Sequence, residues 1–417
     1  MTTIPELSHT LQRLFTTTAD KIAKESGFVK RVRQVTGAGF AQTVVFGNLA
    51  QPEATRKQLQ HSAIQAGMQV SVQGLDQRFT SEAVGFMRAM LAAGLTHMVT
   101  SNQANVILPQ FNGVYVTDCT QVAWVNAAVK VAVRLELQRG SLQASLETLT
   151  CNDQKTAIID RAMPTGALHL GDLGFFKLKR FRAWNAQGIY WLTRYKIGTT
   201  LFSPEGQVID LKQHLTGDQP LSFPVRMGSG TSAVKAVLIA APVPPEALTK
   251  RQARLKEQAR LDQRPLSQRQ IDLASWTIYI TNIPDLTFEQ AHCLARTRWQ
   301  IELLFKLWKS HAKILHSRSA DPIRQQCEGY AKLLGVLVAH WMLLVSGWEH
   351  DRLGAVDALR ILRTHIPQVL LAFTYRAVFA DVFRALAAQI AVAPRRAKRR
   401  KTPLAFQLWY AFEESYP

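Results

Sequence analysis

Apolar and polar positions follow three successive rhythms along the chain. Over residues 1–105 the spacing is helical. Two amphipathic pieces, Arg56 to Ala66 and Val70 to Phe79, flank Gly67. Ser71 is placed to cap the second piece and Gly67 to end the first. Helix, short glycine turn, helix is the helix-turn-helix pattern, and it leaves Gln73, Gln77 and Arg78 exposed and able to reach base edges. An ordinary helical hairpin has the same pattern. From about residue 112 alternation takes over. Gly113 to Asp118 predicts a strand ending on an acid, and Val131 to Leu137 with Leu142 to Leu149 a hairpin around Arg139-Gly140. A helix over about 153–162 follows, then a strand from Leu168 ending on Asp172, a helix from Phe175 to Ala186 and a strand from Ile189 to Tyr195. Residues 197–285 break this rhythm with short β-like runs at Leu221 to Arg226, Val234 to Ala240 and Trp276 to Thr281, and a basic helical run from Lys250 to Arg269. A long helix from Thr287 to about His316 leads into a helical C-terminal region.

Strand, hairpin, helix, strand, helix, strand is the order of a ribonuclease-H-like core, so the expected class is α/β. The expected organisation is a helical DNA-binding domain over 1–105 and the first part of a catalytic core over 106–196. A β-rich insertion subdomain over 197–285, a returning core helix over 286–325, and a helical, dimerising region over 326–417 complete it. A length of 417 residues agrees with about three domains of roughly 150 residues.

Composition narrows the partner. The hydrophobic fraction is 47%, which builds real cores and excludes wholesale disorder. Lys plus Arg number 50 against 30 Asp plus Glu, a formal charge of +20, which favours nucleic acid or an anionic membrane. The start, Met1-Thr2-Thr3-Ile4-Pro5-Glu6, has no basic or apolar signal region, so no secretory leader is expected. Residues 329–348 are long enough to span a bilayer, but Lys332, His340 and Ser346 interrupt them, and a buried helix is expected without a membrane partner. Cys119, Cys151, Cys293 and Cys327 are scattered, so neither a zinc site nor a disulfide framework is expected and a reducing cytoplasm fits. The basic run Arg395 to Lys401 reads as a solvated segment or a DNA contact.

The segment Arg298 to Ser310 carries the most chemistry. Steps of four and seven return to nearly one face of a helix, so Arg298, Glu302 and Lys309 line one stripe. Ile301, Leu304, Phe305 and Trp308 form an apolar stripe beside it that holds the helix on a core. An acid flanked by two cations can point at a site; it can also serve local pairing, Arg298 to Glu302 and Glu302 to Lys306.

This segment resembles the DDE transposases of bacterial insertion sequences, in particular the IS-four family with its Tn-five-like members. Arg298, Glu302 and Lys309 match the signature Y-x2-R-x3-E-x6-K, while Ala295 stands where the family has tyrosine. Trp299, Gln300 and Ile301 suit the R-W-x-I-E core, which puts Trp299 among the expected DNA contacts. The resemblance extends to Asp118 in Val116-Thr117-Asp118-Cys119-Thr120, to Asp172 in Gly171-Asp172-Leu173-Gly174-Phe175-Phe176, and to the long β insertion, covering about 27–350. It implies that Asp118, Asp172 and Glu302 bind two Mg2+ ions, with Mn2+ able to substitute. Arg298 and Lys309 would then grip phosphates beside the scissile bond. The alternatives are a strand-end cap for Asp118 and a tight-turn residue for Asp172.

Trp276 opens the strand that returns from the insertion, where Tn-five-like enzymes stack a tryptophan on a flipped base. A tryptophan packed under the sheet fits equally. The implied partners are double-stranded DNA, as terminal inverted repeats and target, and a second copy in a synaptic homodimer. The implied place is the bacterial cytoplasm, with the nucleoid. Two other functions remain open: a repurposed transposase that only binds DNA, and a nuclease or junction resolvase on the same core.

Overall fold

A computed structural model describes residues 1–31, 34–101, 108–228, 230, 233–347, 355–375 and 378–393. The basic run 395–401 lies outside the described residues. The chain divides into two units. Among the described residues one gathers 1–101, Cys119–Cys151 and 300–393, the other 108–118 and Asn152–Trp299.

The first unit is mainly helical and is built around the helix Pro322–Gly347. This helix is long and apolar enough to cross a membrane, yet 83% of its most apolar window is buried inside the fold. Its polar interruptions find internal partners: His340 Nε2 and the Gly140 carbonyl lie 2.7 Å apart, and the Lys332 ammonium donates to the His316 carbonyl. Helices Gly37–Ala50 and Ser81–Leu95 pack along it. Close approach requires glycine at two places. A Cβ on Gly94 would stand 2.8 Å from Leu334, and one on Gly329 would collide with the Trp124 indole.

The glycine-separated pair near the N-terminus forms as helices Arg56–Gln65 and Val72–Asp76. Thr55 and Gln58 make a capping box, Gly67 adopts φ +79°, and Ser71 accepts from the Gly74 amide at 3.0 Å. The second helix is shorter than its pattern predicts. Thr80 caps the helix that follows, and its extended backbone (φ −115°, ψ 174°) keeps the earlier one from running through.

Nine strands form one sheet order. They are β1 (Val114–Trp124), β2 (Ala127–Glu136), β3 (Leu142–Glu147), β4 (Leu168–Gly171), β5 (Tyr190–Arg194), β6 (Leu201–Phe202), β7 (Leu221–Met227), β8 (Val234–Pro242) and β9 (Trp276–Thr281). The order is β3-β2-β1-β4-β5-β9-β8-β7-β6. β2 and β3 form the expected antiparallel hairpin, with Gly140 at φ +70° in its turn, and belong to the first unit. β1 runs through both units, passing from one to the other at Asp118. In the second unit β1, β4 and β5 are parallel neighbours, and β9, β8, β7 and β6 extend the sheet antiparallel. This is a mixed α/β sheet, and β3-β2-β1-β4-β5 agrees with a ribonuclease-H-like core. Strands β6, β7 and β8, from the region expected as an insertion, join the same sheet beyond β9. The helix Pro245–Leu261 in that region has no buried residue.

Two helices of the second unit cover the parallel strands. Leu178–Ala186 packs on β5 and β8, with Phe181 stacked on Trp191 at 4.2 Å between centroids. Phe288–Thr297 packs on β4, β5 and β8, with its His292 2.9 Å from the Tyr279 hydroxyl. Successive side chains on a strand alternate, so Trp191 and the row containing Arg194 and Tyr279 face opposite sides.

Two helices depart from expectation. Only Asp153–Lys155 is helical, as one 3-10 turn, where 153–162 is expected; residues 157–160 continue as turns that bury both Ile158 and Ile159. The long helix expected from Thr287 is broken at Arg298 into Phe288–Thr297 and Trp299–Lys306, then widens into a π-helical turn, Leu307–His311. The buried Thr297 hydroxyl donates back to the Cys293 carbonyl at 3.1 Å, a bond that bends helices.

Candidate active site

The site begins with strand register. β1 and β4 pair in parallel as far as Thr117↔Gly171, and the next step sets Asp118 beside Asp172. β4 and β5 pair through Leu170↔Leu192, and two further steps set Asp172 beside Arg194, which itself pairs with Tyr279 on β9. Neighbouring strands lie about 4.8 Å apart, so two acids and an arginine form one row across the ends of three parallel strands. The row faces the helix Phe288–Thr297, since Tyr279 in the same row meets His292 there. Just past that helix, Arg298 reaches back and places Nη1 3.5 Å from Asp118 Oδ2. Both side chains are part-buried, 25% and 22% exposed.

Asp172 is exposed, and its side chain makes no capping hydrogen bond to the 3-10 turn Leu173–Phe175 that it precedes. A carboxylate at a turn start usually bonds the amides that follow; this one does not.

Three arginines surround the Tyr279–His292 pair. Burial pushes the Tyr279 phenol up, and the positive charges of Arg194, Arg251 and Arg296 act against that rise. Burial pushes His292 down, and Arg296 and Arg194 push it further. Burial also lowers Arg251, and Arg194 adds to the fall. Arg251 reaches in from the exposed helix to donate to the Trp276 carbonyl at 2.9 Å. Among the described residues no ion pair is formed by Arg194, Arg251 or Arg296. Like charges gathered beside two acids make a place suited to phosphates.

The remaining expected residues are distributed as follows. Glu302 lies in the first unit on Trp299–Lys306 and is half-buried, with Ile301, Phe305 and Trp308 packed inward. Leu304 is half-buried. Lys309 falls inside the π-helical turn, whose wider i→i+5 winding rotates it off the line drawn by an ideal helix from Glu302. Trp299 is 57% exposed and Trp276 is buried at 6%, where it packs at the start of β9. Gln73, Gln77 and Arg78 are exposed, and Arg78 lines an open groove with Lys30, Arg31, Thr80 and Glu82. Ala295 is half-buried on the helix that ends before Arg298.

Among the described residues, no three His, Cys, Asp or Glu side chains stand together closely enough to hold a metal ion. The adjacent Asp118 and Asp172 are the oxygen donors that a hard divalent cation prefers, and in this conformation Arg298 supplies positive charge to Asp118. Sequence reading did not find Arg194, Arg251 or Arg296. A strand containing Arg194, from Ile189 to Tyr195, was visible, but only register shows that Arg194 stands in line with the acids.

Comparison with known proteins gives these arrangements a context. Residues 147–339 match the family described as "Transposase DDE domain". The chain is 25% identical over 374 residues to the transposase for insertion sequence element IS231F of Bacillus thuringiensis subsp. israelensis, covering 76% of each protein. It is 24% identical over 369 residues to the transposase for IS1151 of Clostridium perfringens, covering 78% of each. A solved piggyBac transposase synaptic complex with hairpin DNA aligns over 94% of this chain and 86% of that one, with a TM-score of 0.48 and 8% identity. The chain is thus similar to insertion-sequence transposases, and its residues 147–339 match the transposase DDE domain.

Proposed function

We propose that this protein is a DNA transposase that binds the terminal inverted repeats of its element, cleaves there and joins the freed ends to target DNA. The observation that carries this reading is the row Asp118–Asp172–Arg194, with Arg298 reaching Asp118 from the helix side. Asp118, Asp172 and Glu302 are its three acids. Two magnesium ions held by them, or manganese in their place, would activate the attacking oxygen and stabilise the leaving one. Arg298 and Lys309 hold the phosphate beside the scissile bond, and Arg194, Arg251 and Arg296 hold its neighbours. Hydrolysis breaks the bond between phosphorus and the 3′ oxygen and frees a 3′-hydroxyl. That hydroxyl then attacks a target phosphorus, exchanging one phosphodiester for another.

The exposed Gln73, Gln77 and Arg78 suit readout of the repeat by the N-terminal helices. Trp299 suits stacking on a base. The buried Trp276 takes that role only if DNA binding draws it out of the sheet. Synapsis by a homodimer in the bacterial cytoplasm completes the proposal.

The test is an end-joining assay with the purified full chain, DNA bearing the element's ends, and magnesium. Joined product supports a transposase. Cleavage without joining indicates a nuclease, and binding without cleavage a repurposed DNA-binding protein.

A further inference from the structure

The stretch following the Glu302 helix is held by groups from four separate parts of the first unit. Arg363, on the helix Ala355–Thr374, donates to the His311 carbonyl at 2.7 Å. Trp124 on β1 donates through its indole to the Ile314 carbonyl at 3.2 Å. Lys332, on the helix Pro322–Gly347, donates to the carbonyls of Lys313, at 3.5 Å, and of His316. Glu53 forms an ion pair with Lys313.

This is an unusual way to end a helix. The residue after the cap is commonly a left-handed glycine. Here Lys313 takes that conformation at φ +49°, and it follows a π-helical turn. Lys332 is 4% exposed. Burial pushes its ammonium down to about 8, with Glu328 and Glu53 acting the other way and Lys313 adding to the fall. A buried ammonium is a poor way to gain stability. Its three donors, in contrast, fix carbonyl directions that an apolar side chain would leave unspecified.

We infer that Lys332 is a positioning residue for the helix carrying Glu302 and Lys309, which it holds in place through the carbonyls of Lys313 and His316. The inference rests on the role proposed above for Glu302. The packed face of that helix, Ile301, Phe305 and Trp308, sets its depth. The carbonyl contacts set its rotation and the pitch of the π-helical turn, and hence where the carboxylate and Lys309 point.

The test uses the purified full chain and Lys332→Met, which keeps length and removes the donors. Amide exchange over residues 307–316 is expected to quicken. The maximal cleavage rate is expected to fall on the order of tenfold or more, with half-saturating DNA-end concentration changed less than about twofold. Unchanged exchange overturns the inference, as does cleavage at the wild-type rate. Should Lys332→Met not fold, Arg363→Met removes the neighbouring clamp on His311 and meets the same two criteria. No cleavage by the wild-type chain would overturn the transposase reading, and this inference with it. Cleavage by wild type and variant alike would overturn this inference alone.

Discussion

Arginines meet carboxylates in two contrasting regions. In the first unit, Arg324 and Glu328 are each 6% exposed, and Arg324 Nε donates to Glu328 Oε1 at 2.7 Å. Arg324 also pairs with Asp76 and lies over the Phe79 ring at 4.6 Å, while Ser317 donates to the other Glu328 oxygen at 2.7 Å. Donors and acceptors there are matched, and the network is closed. Along the strand ends of the second unit, Asp118 and Arg298 are part-exposed, and Arg298 Nη1 stands 3.5 Å from Asp118 Oδ2. Arg251 is lowered by partial burial and by the charge of Arg194, and among the described residues Arg194, Arg251 and Arg296 form no ion pair. A closed network specifies the fold. The surplus positive charge of Arg194, Arg251 and Arg296 suits a complement such as a polyanion.

The largest effect separates the two regions by activity. Asp118→Asn, Asp172→Asn and Glu302→Gln are each expected to slow cleavage on the order of a thousandfold while end binding survives, because a lost ligand removes charge stabilisation and not the phosphate grip. Wild-type cleavage by any one variant would remove that acid from the site. The closed network breaks differently. Arg324→Met removes the charge partner of the buried Glu328, while Asp76 keeps Arg56, and should lower stability by roughly 3–5 kcal/mol in urea unfolding. A loss well under 1 kcal/mol would mean that the network is not closed in solution.

Lys332 gives a pH test in the same unit. Its folded pKa lies near 8 and its ordinary value is 10.5, so the folded state sheds this proton first. The unfolded chain then binds more protons between those values, and stability rises with pH across that window, by on the order of 3 kcal/mol from this group. Comparing unfolding of wild type and Lys332→Met from pH 7 to 10.5 isolates it; parallel curves would refute the assignment.

Smaller effects sharpen the open region. Arg194→Ala and Arg298→Ala are each expected to slow cleavage roughly 10–100-fold, and to flatten the salt dependence of DNA binding by about one log–log unit per lost phosphate contact. Normal rate and slope in both would make these arginines surface charges. The smallest expected change is a gain. Ala295→Tyr, one turn before Arg298, adds a hydroxyl on the DNA side worth about 1 kcal/mol, several-fold in cleavage or strand transfer. Equal or lower activity would show that another side chain already fills that place.

What could be read from the sequence is what local periodicity and spacing encode. Alternation predicted the two strands that reach Asp118 and Asp172, and the hairpin at Gly140. The apolar run with three polar interruptions predicted the buried helix Pro322–Gly347. The spacing of Ile301, Phe305 and Trp308 marked the face that packs inward, because a helix converts sequence steps into angles. Tertiary structure decided the rest. Register across β1, β4 and β5 aligns Asp118, Asp172 and Arg194, although 54 and 22 residues separate them in sequence. Hydrogen bonding between strands has no local signature, so no window of sequence could reveal it. The stretch that follows the π-helical turn at Leu307–His311 likewise meets partners far along the chain, among them Trp124, Lys332 and Arg363. Burial of Trp276 was undecided by its position at a strand start, because which face of a strand is covered depends on the element that packs there.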